Sequence, residues 1–245
     1  MTLTRADRAA VPRRAAAPTA AVVVAVMTIT GVLLLDASGS LWLQRLLGVL
    51  TWCVLLALLV PETPLVRAQT AVVVLFATAV EYTFSPLLEV YVYRFDNVPM
   101  YVPPGHGLVY FAALSVGRIA AVQARERLLM TLVLVVGGVY AAYGVTLADR
   151  TDALGAFWYL CLVGFLLWGP SRGLYIGAFA MVTYLELMGT ALGTWEWARV
   201  DPTGIVAIGN PPSGAAGGYG WFDLAALVTG PVVLAVWQRR GRLRA

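Results

Sequence analysis

Charge is scarce in this chain. Of its 245 residues only 12% are charged, about half the roughly 25% of a soluble domain, while 60% are hydrophobic and the mean hydropathy is +0.79. Lysine is missing altogether, so all 17 basic residues are arginine, a bias that fits GC-rich coding and says nothing about activity. Cysteine and histidine are nearly as rare: Cys53 and Cys161 sit midway along separate apolar runs, and His106 is the single histidine. That inventory excludes a zinc site, an iron–sulfur ligand set, a disulfide framework and a haem ligand pair. The phosphate-binding Walker loop and paired-histidine metal motifs are absent as well. The net charge of +4 comes from arginines at the chain ends and in short turns, so it reads as a topology signal and no nucleic-acid partner is expected.

Long apolar runs are abundant. A bilayer core of about 30 Å takes roughly 20 apolar residues per helix. Eight runs qualify, at residues 19–35, 41–61, 69–87, 104–122, 127–147, 154–170, 172–193 and 221–238. The expected fold class is an all-α, polytopic integral membrane helix bundle of about eight transmembrane helices. With the N-terminus inside, inner segments hold Arg67, Arg118, Arg125, Arg127 and Arg172, and basic tails at 1–18 and 239–245 add the rest. Outer segments hold only Arg94, Arg150 and Arg199, each near an aspartate. By the positive-inside rule this places both termini in the cytoplasm and the bundle in the plasma membrane. The first run, ending at Asp36-Ala37-Ser38-Gly39, is also open to reading as a cleaved secretion signal, although it is long for a signal core of about 7–15 residues. Arg45, near the outer end of the second run, is expected to snorkel to the interface.

The second half partly repeats the first. Glu81 is followed by Arg94 and Asp96 at the same distances at which Glu186 is followed by Arg199 and Asp201. Tyr91 and Tyr93 lie between in one copy, Trp195 and Trp197 in the other, and each copy then reaches a double proline, Pro103-Pro104 and Pro211-Pro212. The expected organisation is two parallel four-helix repeats, 19–122 and 123–238, the second with a long outer loop at 195–220. Four spans per copy give both the same orientation, about a pseudo-two-fold axis along the membrane normal.

Ionisable groups inside spans cost about 2.5–3.5 kcal/mol each on insertion scales, which makes each a candidate functional residue. Glu81, Glu186, His106 and Asp223 all fall in the outer half and form the candidate catalytic set. Tyr82, Glu89, Tyr91, Tyr93, Arg94, Asp96, Trp195, Trp197, Asn210 and Tyr219 are the candidate substrate-binding residues. Structural readings stand beside these. Glu81 and Glu186 are placed to tie the halves together, His106 to cap a helix, and Asp223, directly before an apolar run, to serve as an N-cap. Arg94 with Asp96 and Arg199 with Asp201 fit exposed ion pairs, and the aromatics fit an interfacial belt. The stretch from Trp195 to Trp221 contains Gly217, Gly218 and Gly220, too many glycines for a helix, and is expected to fold over the cavity as a lid. Gly189 and Gly193 form a GxxxG expected to pack helices closely near Glu186. Buried carboxylates suit acid/base work that needs no metal and no cofactor.

Two local resemblances bear on the substrate. The segment from Glu186 to Trp197, with Gly189, Gly193, Trp195 and Trp197, resembles the glutamate, glycine, glycine and paired-aromatic pattern of membrane carotenoid hydratases. The segment Ala79-Val80-Glu81-Tyr82-Thr83-Phe84 is similar to the aromatic-flanked glutamate of small membrane-bound terpene cyclases, which also carry an acid in the last span, as Asp223 is here. The cyclases lack the internal repeat, and the hydratase pattern's proline-phenylalanine step is missing from this chain. Both resemblances imply acid-catalysed protonation of an isoprenoid double bond or epoxide by Glu81 or Glu186. Tyr82, Tyr91, Trp195 and Trp197 would then stabilise the carbocation through their ring faces.

The sequence therefore favours a cofactor-free acid/base enzyme on a lipophilic, isoprenoid-like small molecule reached from the outer leaflet. Two other classes stay open: a proton-coupled transporter of small molecules or lipids, and a non-catalytic subunit of a larger membrane complex. The partners expected are the bilayer and the lipophilic substrate, with homo- or hetero-oligomers left open.

Overall fold

The computed structural model describes residues 17–242, with side chains through residue 239. Arg5, Arg8, Arg13, Arg14 and Arg244 of the expected basic tails lie outside the described residues. Among the described residues the regular elements are helices and one short ribbon: α1 (Pro18–Ser38), α2 (Leu41–Leu59), α3 (Pro64–Tyr82), β1 (Tyr91–Tyr93), α4 (Val102–Arg118), α5 (Ala120–Ala124), α6 (Glu126–Thr146), α7 (Ala153–Trp168), α8 (Arg172–Ala191), β2 (Trp195–Trp197) and α9 (Ala215–Arg242). Six of these helices are long and apolar enough to cross a membrane: α1, α2, α3 with its π-helical extension to Leu87, α6, α8 and α9. The protein is a multi-pass helix bundle.

Local signals set several boundaries. Ser40 caps α2 by accepting from the Leu43 amide at 3.3 Å, and Thr63 caps α3 with Pro64 at its first position, where a missing N–H costs nothing. Within the spans, the hydroxyls of Thr28, Thr51, Thr70 and Thr78 turn back to the carbonyl four residues earlier, which satisfies them without a water partner.

The bundle is apolar on its outside and polar at selected points within. Met27, Leu75 and Trp168 expose 69%, 72% and 81% of their surface, whereas Asp36, Gln44, Glu81, His106, Asp152, Glu186 and Asp223 are buried. This inversion is what a lipid solvent selects. The most extensive helix contacts join α4 to α8 and α3 to α9. Small residues make them possible: a Cβ on Gly177 of α8 would strike the Ala113 carbonyl of α4.

Three expectations fail here. Residues 215–220 are helix, so the outer loop ends near residue 214 and Asp223 lies inside α9 instead of capping it. The reason is packing: Gly217 sits directly on the Trp158 carbonyl of α7, a position no side chain can occupy, so the glycines serve contact between two helices. Gly193 falls beyond α8 with φ of +66°, where it ends the helix, so Gly189 and Gly193 do not form a helix-packing pair. Gly189 makes room for the Trp195 ring instead.

Two buried aspartates anchor the segments that join the helices. Asp36, at the end of α1, accepts from Gln44 at 3.0 Å and from the Tyr101 hydroxyl at 2.9 Å, with Arg94 at 3.8 Å. Asp152 caps α7 through the Gly155 amide and also accepts from the Gly209 amide and from the Ser213 amide and hydroxyl. Tyr101→Phe is expected to lower stability by about 1.5–3 kcal/mol, the usual worth of a hydrogen bond to a charged group. Thermal unfolding in detergent reads this directly, and an unchanged midpoint would show that Tyr101 does not hold Asp36.

Candidate functional site

Glu81 reaches the site from the last turn of α3. The following residues, Thr83–Leu87, form a π-helical turn containing Pro86, a device frequent at functional sites, and the chain then turns back into β1. β1 and β2 pair antiparallel, with Tyr91 opposite Trp197, Val92 opposite Glu196 and Tyr93 opposite Trp195. Strand alternation turns all four aromatics to one face, and all four are buried.

That face covers the two glutamates. The Tyr93 hydroxyl donates to Glu81 Oε2 at 2.8 Å, and Glu81 Oε1 lies 2.7 Å from His106 Nε2 on α4. Glu186 on α8 accepts from the indole N–H groups of Trp195 and Trp197, each at 3.1 Å, with the Tyr219 hydroxyl further off at 3.5 Å. His106 is held between aromatics, stacked on Tyr219 at 5.1 Å with the Phe222 ring edge-on at 5.4 Å. Trp158 packs edge-on against Trp197 at 5.7 Å.

These groups line one cavity of about 260 Å³, shared by α1, α3, α4, α8, α9 and the ribbon. The volume lies just under the roughly 300–1,000 Å³ of small-molecule pockets. Its lining is apolar except around Glu81, His106 and Glu186, and it includes the half-exposed rings of Phe76, Phe84 and Trp221 on α3, the π-helical turn and α9. Those rings belong to the apolar exterior, so the cavity reaches the surface that faces lipid. No protein-family model, curated protein or solved structure matches this chain.

Of the residues singled out in the sequence, Glu81, Glu186, His106, Tyr91, Tyr93, Trp195, Trp197 and Tyr219 meet at this cavity. Asp223 does not line it; it is buried on the far side of His106, beside a much smaller void. Tyr82 is 56% exposed, and Glu89 and Asp96 are exposed residues with positive φ in turns. Arg94 bonds the Gly39 carbonyl and faces Asp36, so its expected pairing with Asp96 is not formed. Asp201 does not pair with Arg199 either. It accepts from the Thr203 hydroxyl and from the backbone of Val206, Thr203 and Ile205, which hold its carboxyl down at about 2. Asn210 lies away from the cavity, its side-chain oxygen accepting from the Trp197 amide at 3.1 Å and so fixing the ribbon.

Several lining residues escaped the sequence reading. Trp158 and Phe222 sit in apolar runs where they are indistinguishable from lipid-facing residues, and Tyr101 lies between the runs at 69–87 and 104–122. Asp36, read there only as a boundary, carried a usable signal, since an acid at the end of an apolar run calls for partners.

Proposed function

We propose that this protein is a membrane enzyme that protonates a lipophilic, isoprenoid-like substrate by carboxylate acid/base chemistry, without metal or cofactor. The observation that carries this reading is the Glu81–His106–Tyr93 cluster, set with Glu186 in a cavity whose other walls are aromatic and aliphatic. Glu81 delivers the proton to a double bond or epoxide. The faces of Tyr91, Trp195 and Trp197 stabilise the carbocation, and Glu186 takes the proton released when the cation collapses. A lipid-soluble molecule reaches the site from within the bilayer, past Phe76, Phe84 and Trp221.

The reading extends to eight spans in the plasma membrane with both termini cytoplasmic. Arginine asymmetry supports this, as do α4 and α7, whose 17 and 16 residues give about 24–26 Å of helix at 1.5 Å per residue. It also includes two parallel four-helix repeats. The ribbon supports these, since it pairs one strand from each half antiparallel, as a two-fold axis through it requires. The reciprocal contacts of α3 with α9 and α4 with α8 follow the same axis.

The test is an untargeted comparison of lipids and pigments in cells lacking the gene and in cells complemented with wild type or Glu81→Gln. A precursor that accumulates in the deletion and persists with Glu81→Gln is expected, and its structure identifies the substrate. Identical profiles in all strains would remove the enzyme reading.

A further inference from the structure

Behind the cavity lies a second polar cluster that the chemistry above does not use. With Nε2 of His106 committed to Glu81, Nδ1 on the opposite edge of the ring is buried without a partner, and so are Asp223 Oδ2 and the Tyr110 hydroxyl. His106, Tyr110 and Asp223 are exposed by only 6%, 1% and 4%, and all three line a void of about 10 Å³ between α4, α8 and α9. A void of roughly 10–15 Å³ holds one water, provided two to four polar groups bind it. Three residues that each carry an unpartnered buried polar atom line a space of that size. Buried polar atoms left unpaired are costly, which favours a water between them.

We propose that this void holds one water, bonded to Asp223 Oδ2, His106 Nδ1 and the Tyr110 hydroxyl, and that it carries a proton from Asp223 to the Glu81–His106 pair. The step balances. Asp223 gives its carboxyl proton to the water, the water gives one of its own to His106 Nδ1, and His106 Nε2 gives its proton to Glu81. Asp223 is left as the carboxylate, His106 has changed tautomer and Glu81 holds the proton. The relay reloads Glu81 from the side opposite the substrate, so the cavity itself stays dry. It rests on the reading of Glu81 as the acid.

The test is infrared spectroscopy of the purified full-length protein in lipid nanodiscs, moved from H₂O to D₂O. The carboxylic C=O band of Asp223 is assigned by its disappearance in Asp223→Asn. The expected result is that this band shifts on transfer to D₂O in wild type, and that Tyr110→Phe slows the shift at least tenfold, because it removes one of the three groups holding the water. A band that never shifts, or shifts equally fast in Tyr110→Phe, overturns the relay, as does the absence of any Asp223 carboxylic band. The measurement needs no substrate. An exchanging band together with unchanged lipid profiles in the deletion strain would remove the enzyme reading and keep the water path.

Discussion

Glu81→Gln is expected to lower turnover of the accumulated precursor by about 100- to 10,000-fold, the usual contribution of a positioned acid or base. Glutamine keeps the shape and an oxygen that accepts from the Tyr93 hydroxyl, so the fold and the cavity survive while the transferable proton is lost. Glu186→Gln is expected to cost less. Its amide oxygen still accepts from the two indole N–H groups, so the aromatic wall keeps its place and only the final proton acceptance suffers. Rates on the purified precursor, measured beside thermal unfolding in the same detergent, separate chemistry from folding. Full activity in Glu81→Gln, or loss of folded protein in both variants, would mean that the glutamates hold the halves together and do no chemistry.

The largest effect on stability is expected at Asp152. Its two oxygens accept at 2.9 Å from the Gly155 and Gly209 amides, at 2.6 Å from the Ser213 amide and at 2.7 Å from the Ser213 hydroxyl. Asp152→Ala removes a helix cap and leaves several buried donors unpaired at about 1–3 kcal/mol each, so a loss of at least about 3 kcal/mol is expected. The damage reaches the site as well. Residues 207–213 are released from α7, and Asn210, which fixes the Trp197 amide, moves with them. Denaturant unfolding of the solubilised protein measures the loss, and activity is expected to fall with it. A change under about 1 kcal/mol would show that water replaces the carboxyl and that residues 207–213 are held by other contacts.

Glu81 and Asp152 differ in how far the sequence foretold them. Glu81 stood out as an acid inside an apolar run, a placement whose cost demands a role. Asp152 stood in a polar loop, where an aspartate costs nothing, and only the return of Gly209 and Ser213 to the start of α7 buries it. The same holds for Arg94. Its sequence neighbour Asp96 was the expected partner, yet a left-handed turn carries Asp96 outward and the end of α1 brings Asp36 within reach.

The sequence by itself determined a helix bundle in a membrane. Twenty-residue apolar runs have no other stable form in lipid, and arginine placement and hydropathy are local properties readable one segment at a time. It also brought forward Glu81, His106 and Glu186 by the cost of placing them there. Tertiary structure alone decided the rest. It turned the glycines at 217–220 into helix, because contact with the Trp158 carbonyl outweighs their poor helix propensity. It brought the Glu81–His106 pair together with Glu186 and its tryptophans in one cavity, because the ribbon and the crossing of α4 with α8 join segments far apart in the chain, and no local pattern encodes such a distance.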